Sequence, residues 1–181
     1  MSLPHALLTS LLERPCSGLE LSRRFERSIG FFWPASHQQI YKELGKLEHS
    51  GWVESTAEEG ARGRKKSYRV LPEGKNELQR WVQQAEDATP LRDALMVRLR
   101  AEAVLGSTDA INDLCHRLAQ HRHRLAIYQE IEQRDFANRE LSRAEQLQYL
   151  VLQSGLATEA TQAEFCDRAL TLLASWRDAK D

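Results

Sequence analysis

Several absences set the first limits. There are only three cysteines in 181 residues, and Cys16, Cys115 and Cys166 lie far apart without a CxxC pair. That argues against a disulfide framework and for free thiols in a reducing compartment. No stretch approaches the ~18 consecutive apolar residues that a membrane span needs. Met1 to Leu12 has no basic start of the kind a secretory signal carries, and Glu13 and Arg14 follow early. The expectation is a cytoplasmic protein with no membrane partner. There is no excess of charge either: 25 Lys and Arg against 26 Asp and Glu leave a net charge of −1, so any nucleic-acid binding must come from a local patch. GxSxG, P-loop and GxGxxG motifs are all missing, and no enzyme or cofactor is expected.

With 41% hydrophobic residues, the chain can bury one good core and a second small one, so one or two domains are expected. The most informative stretch runs from Ser36 to Lys66. Ser36 and Gln39 have capping-box spacing, and Ile40, Leu44 and Leu47 then share one helical face that goes to the core. His37, Gln38, Tyr41, Lys42 and Lys46 are left on a polar, cationic face suited to a nucleic-acid groove. Gly51 ends that helix. Residues 52–56 and 67–71 read as paired strands. The hairpin tip between them holds Gly60, Arg62, Gly63, Arg64, Lys65 and Lys66. Four cations at one tip fill a core poorly and hold phosphates well, because each neutralised phosphate releases a counterion. Helix plus basic wing is the winged form of the helix-turn-helix.

Upstream, Leu3 to Glu13 forms an apolar helix ended by Pro15. Ser17 or Gly18 opens a second helix, with Leu19 or Leu21, Phe25 and Ile29 inward and Arg23, Arg24 and Arg27 outward. Two readings stay open for these arginines: phosphate contacts, with Arg23 the selected candidate, or a solvated face balanced by Glu20 and Glu26. Phe31, Phe32 and Trp33 make an aromatic loop that packs on the core or a partner in preference to stacking on bases. His5 reads as a polar surface or interface residue. Downstream, residues 72–84 form a helix with Leu78, Trp81 and Val82 inward, opened by Pro72.

Residues 85–90 are polar and end in Pro90, which places a boundary between a winged-helix DNA-binding domain over 1–86 and an α-helical dimerisation domain over 87–181. Beyond it nothing reads as strand. One helix covers 91–105 and stops near Gly106. A second, capped by Ser107 or Thr108, runs to about Phe136, and a third opens on the Ser142 and Glu145 capping pair and ends near Trp176. Ile111, Leu114, Leu118, His121, Leu125 and Tyr128 alternate steps of three and four, a short coiled-coil seam. With Leu147, Leu150 and Phe165 on the last helix they are the expected dimer interface, although packing within one chain uses the same faces. Cys115, His116, His121 and His123 do not close a local metal site on one straight helix, so no metal is expected, with assembly of such a site across a dimer the alternative left open.

These residues resemble the PadR family of winged-helix transcriptional regulators. Ile40-Tyr41-Lys42-Glu43-Leu44, with Leu47-Glu48 and Gly51-Trp52-Val53-Glu54, is similar to that family's recognition-helix signature. Arg64-Lys65-Lys66-Ser67-Tyr68-Arg69-Val70 resembles its basic wing and return strand. Gly18-Leu19-Glu20-Leu21 matches the opening of its second helix, with Leu where a Tyr is common, and Leu71-Pro72-Glu73-Gly74 stands in place of the family's Thr-x-x-Gly. Phe32-Trp33-Pro34-Ala35-Ser36 and the long helical C-terminal half resemble the branch of AphA-like virulence activators. The resemblance implies a mainly α protein, α+β in its N-terminal half, that dimerises and binds double-stranded, pseudo-palindromic operator DNA. Some members respond to small aromatic effectors. A small-molecule effector or a second transcription factor stays open as a partner, and so does a winged helix used for protein association alone.

Overall fold

The structure, a computed structural model, describes residues 3–57, 66–87, 90, 92–106 and 109–178. The chain divides into two compact units, Met1–Ala88 and Thr89–Asp181.

In the first unit, helix α1 (Leu3–Glu13) buries Leu7, Leu8 and Leu11 completely. Pro15 ends it, and Cys16–Ser17 form a two-residue strand, β1. The Ser17 hydroxyl accepts the Glu20 N–H and caps α2 (Gly18–Glu26). Of the two inward candidates on α2, Leu21 is buried beside Phe25 and Leu19 is exposed. A 3-10 turn, Ile29–Phe31, leads to α3 (His37–His49), whose Ile40, Leu44 and Leu47 enter the core as their spacing requires. Gly51 stands at φ 71°, where an L side chain is strained, and lets the chain reverse into β2 (Val53–Ala57).

Strand β3 (Lys66–Val70) returns antiparallel to β2, with Val53 opposite Val70 and Ala57 opposite Lys66. β1 pairs with the other edge of β3, so the sheet order is β1-β3-β2. β1 was not foreseen, because two residues carry no alternation to detect. Helix α4 (Pro72–Val82) packs close to the turn after α3. A Cβ on Gly74 would lie 2.3 Å from the Trp52 carbonyl oxygen, so only glycine fits there.

Two expectations about the packing of α1 and α4 are corrected. His5 is not a surface residue: it is buried, its ring stacks on Trp81 at 4.4 Å, and its Nε2 lies 3.3 Å from Glu77 Oε1. Val82, expected inward, is 70% exposed; the first turn of α1 is spent on Trp81 and does not reach the last residue of α4.

In the second unit, α5 (Ala94–Leu105) is capped by Asp93, which accepts the Leu95 N–H, and stops at Gly106. Helix α6 (Ile111–Ile131) follows, and a π-helical segment, Glu132–Phe136, ends it. The expected caps Ser107 and Thr108 lie outside the described residues; the Ala110 N–H at the start of α6 is held by Glu102 of α5. Helix α7 (Arg143–Asp178) opens on Ser142 and Glu145, which cap each other.

The seam read as an interface between chains is filled within one chain. Leu114 and Leu118 are buried in a core with Leu95, Ala163, Cys166 and Leu173, against which Ile111 and Phe165 pack. Tyr128 is buried against Gly155, and His121 Nδ1 meets Glu159 Oε2 at 2.5 Å. Leu125 is half-buried. Periodicity marks a face as apolar without saying which chain covers it.

Hydrogen bonds from Ser142, with Arg139 beside them, pull the Glu145 carboxyl down to about 2. A carboxylate lowered on folding contributes stability above its unfolded pKa, near 4.5, and that contribution is lost as pH falls toward 2. Glu145→Gln is therefore expected to make melting temperature less steep in pH between 4.5 and 2. Parallel slopes for wild type and variant would refute the assignment.

Candidate nucleic-acid interface

The face of α3 opposite Ile40, Leu44 and Leu47 is solvent-exposed and carries His37, Gln38, Tyr41, Lys42, Gly45, Lys46 and His49. The capping box that starts the helix uses both Ser36 and Gln39: the Ser36 hydroxyl accepts the Gln39 N–H and Gln39 Oε1 accepts the Ser36 N–H. Gln39 is thereby committed to the backbone. Four N–H groups at a helix start have no partner within the helix, which is why such capping positions the whole first turn.

The structure sorts the expected contact residues into engaged and free. His37 Nε2 lies 2.7 Å from Glu26 Oε1 and ties the first turn of α3 to the end of α2. Lys46 pairs with Glu43 at 2.7 Å. Tyr41 lies half across Gly18, where a Cβ would be 2.6 Å from its ring, so it holds α3 to α2 as well as facing outward. Gln38 and Lys42 have no hydrogen bond or ion pair among the described residues.

On α2 the arginines separate. Arg24 folds back: its Nη1 donates to the Arg14 carbonyl oxygen at 2.8 Å and its Nη2 to the Ser10 carbonyl oxygen at 2.7 Å. It clamps α1 to α2 and is not an outward cation, a correction to its expected place. Arg23 and Arg27 remain exposed and unpaired among the described residues, because the acids expected to balance them are engaged elsewhere, Glu20 with Arg14 and Glu26 with His37.

At the wing, Lys66 begins β3 and its Nζ is 3.8 Å from Glu48 Oε2. Arg62, Arg64 and Lys65 lie outside the described residues. Arg69 on the same strand pairs with Glu54 across the hairpin. Of the two places expected for the aromatic loop, the core and a partner, Phe32 (59% exposed) and Trp33 do not take the core, where Ile29 packs instead.

One residue of this face was not anticipated. Gly45 lies seven positions after Gln38, two helical turns along the same face, and a Cβ there would meet nothing within 4 Å. Packing inside the chain does not require the glycine. A gap in a helix face between polar side chains lets another molecule approach the backbone closely. The sequence signal for it was a glycine inside a strong helical pattern, a residue that costs about 1 kcal/mol there relative to alanine.

Among the described residues no three His, Cys, Asp or Glu gather as metal ligands, and no helix is long and apolar enough to cross a membrane.

Comparison with known proteins agrees with this architecture. The PadR-like transcriptional regulator family matches residues 7–80, and the virulence activator alpha C-terminal family matches residues 91–174. The probable transcriptional regulator Rv1176c of Mycobacterium tuberculosis is 38% identical over 96% of this chain and 98% of its own length. The Vibrio cholerae virulence activator AphA superposes with a TM-score of 0.81 at 31% identity, covering 96% of this chain and 99% of that one. Bacillus subtilis PadR, solved in complex with operator DNA, gives a TM-score of 0.81 at 25% identity over 95% of this chain and 98% of that one. With a winged helix-turn-helix in its first half and long helices in its second, the chain belongs to the PadR family of transcriptional regulators, in the AphA-like branch.

Proposed function

We propose that this regulator is a homodimer that binds pseudo-palindromic operator DNA, with α3 in the major groove and the basic wing on the flanking phosphates. The observation that carries the reading is the exposed face of α3, where the free side chains of Gln38 and Lys42 lead along one face to the bare backbone at Gly45. Unpaired Arg23 on α2 and Arg27 just past its end add phosphate-binding charge. In a helix-turn-helix the first helix crosses the DNA backbone and the second enters the groove. The operator complex of Bacillus subtilis PadR supports the same use of this fold.

The dimer contact falls on α7. Leu147, Leu150 and Val151 lie on one face at spacings of three and four, and they are 58%, 60% and 49% exposed. An apolar stripe of this kind on a soluble chain calls for a covering surface. Leu114, Leu118 and Tyr128, already buried within the chain, are set aside as interface residues. Exposed Phe32 and Trp33 favour a second reading, in which the winged helix serves protein association.

Salt separates the two readings, since phosphate contacts weaken steeply with added salt and apolar contacts do not. Replacing Arg64 and Lys65 together by alanine is expected to weaken specific and random DNA alike and to flatten the slope of log K against log salt by about 1.8, roughly 0.9 per lost phosphate contact. A fluorescence-polarisation titration with an unchanged slope would remove the wing from the interface.

Gly45→Ala separates folding from binding. Stability should rise by up to about 1 kcal/mol, because alanine is the better helix former, while affinity for DNA should fall if the backbone approaches DNA at that point. A urea melt and a polarisation titration on the same sample measure both, and unchanged affinity would place Gly45 outside the contact.

A further inference from the structure

Within the second unit, α5 and α7 line a partly open groove of about 700 Å³ that the DNA-binding reading does not use. Its apolar wall includes Leu99, Phe165, Leu172 and Trp176, and among the described residues its charged lining groups are Glu102 and Arg168. The volume is that of a small-molecule site.

Glu102 is the unusual member. It is only 9% exposed in an otherwise apolar setting. One carboxylate oxygen, Oε1, accepts the Ala110 N–H and caps the start of α6. The other, Oε2, is buried and has no hydrogen-bond partner among the described residues. The cap needs one acceptor, which an amide would supply without charge. A buried carboxylate oxygen left unpaired is costly, and because Glu102 lines this space, a guest N–H brought to its carboxylate would supply the missing partner. Arg168 is exposed, so water and salt screen its charge far more than that of Glu102.

We propose that this groove binds a small apolar molecule carrying an amine, with its hydrocarbon part against Phe165, Leu172 and Trp176 and its N–H groups on Glu102. The preference opposes that of a site built for aromatic acids, since a carboxylate guest would face a buried carboxylate. The proposal stands apart from the DNA-binding reading, because its test reads ligand binding directly.

The test titrates the full-length protein by calorimetry with 4-phenylbutylamine, 4-phenylbutanol and 4-phenylbutyrate, at protein concentrations below and above any self-association. The amine is expected to bind about tenfold tighter than the alcohol, the size of one charge-assisted hydrogen bond, and the acid weakest. Glu102→Gln keeps an acceptor for Ala110 and should erase the amine preference. Ala103→Trp, which fills the groove from an exposed position, should weaken all three probes. The proposal is overturned if none of the probes binds the wild-type protein, or if the amine preference survives Glu102→Gln. It is also overturned if the acid binds tightest and Arg168→Ala abolishes that binding, or if binding disappears as the chain self-associates, which would make a second copy the occupant.

Discussion

The double variant Leu150→Glu, Val151→Glu is expected to be monomeric and to lose about 10²- to 10⁴-fold in operator affinity, the range by which linking two binding modules exceeds either alone. Both residues are exposed on α7 and make no part of the buried core of their unit, which consists of Leu95, Leu114, Leu118, Ala163, Cys166 and Leu173. Glutamate is a good helix former, so the helix itself should persist. In a two-fold dimer each change occurs twice at an isologous contact, and four carboxylates would be brought together where apolar groups met. Without the dimer, each winged helix binds one half-site alone. Sedimentation equilibrium reads the first consequence and a titration with operator DNA the second. A variant that stays dimeric would move the interface elsewhere. One that is monomeric and still binds the operator as the wild type does would end the two-fold reading.

Gln38→Ala is expected to cost about 1 to 3 kcal/mol on operator DNA and much less on random DNA, the signature of a side chain that reads a base edge. On the first turn of α3, His37 is held by Glu26 and Gln39 by the cap, which leaves Gln38 as the side chain without another task. First-turn residues of a recognition helix are those that reach bases. His37→Ala should behave differently: it loosens the join of α2 to α3 and should lower binding to both DNAs together. Equal losses on operator and random DNA for Gln38→Ala would reduce it to a positioning contact, and a specific loss for His37→Ala would reverse the two roles.

Much of the first half was legible because its signals are local. The Ser36 and Gln39 capping pair, the apolar spacing of Ile40, Leu44 and Leu47, and the glycine at 51 each act within a few residues, and the structure places all of them as read. The same holds for Ser142 and Glu145. What was missed acts at long range. The Arg24 clamp joins residues 10 and 14 positions away, and the stacking of His5 on Trp81 joins the two ends of the first unit. Neither leaves a periodic trace.

The sequence by itself determined the main helices and the hairpin, the polar face of α3, the concentration of cations at the wing and the family, because propensity, capping and periodicity are properties of neighbouring residues. Only the tertiary structure decided which of these groups are free. It occupied His37 and Lys46, left Gln38 and Lys42 open, and turned Arg24 inward while Arg23 stayed out. It also filled the seam of α6 with α7, leaving Leu147, Leu150 and Val151 as the exposed apolar stripe. The physical reason is the same in each case: a side chain has a limited number of hydrogen-bonding and packing partners, and which of them it meets depends on residues distant in the chain that only folding brings near.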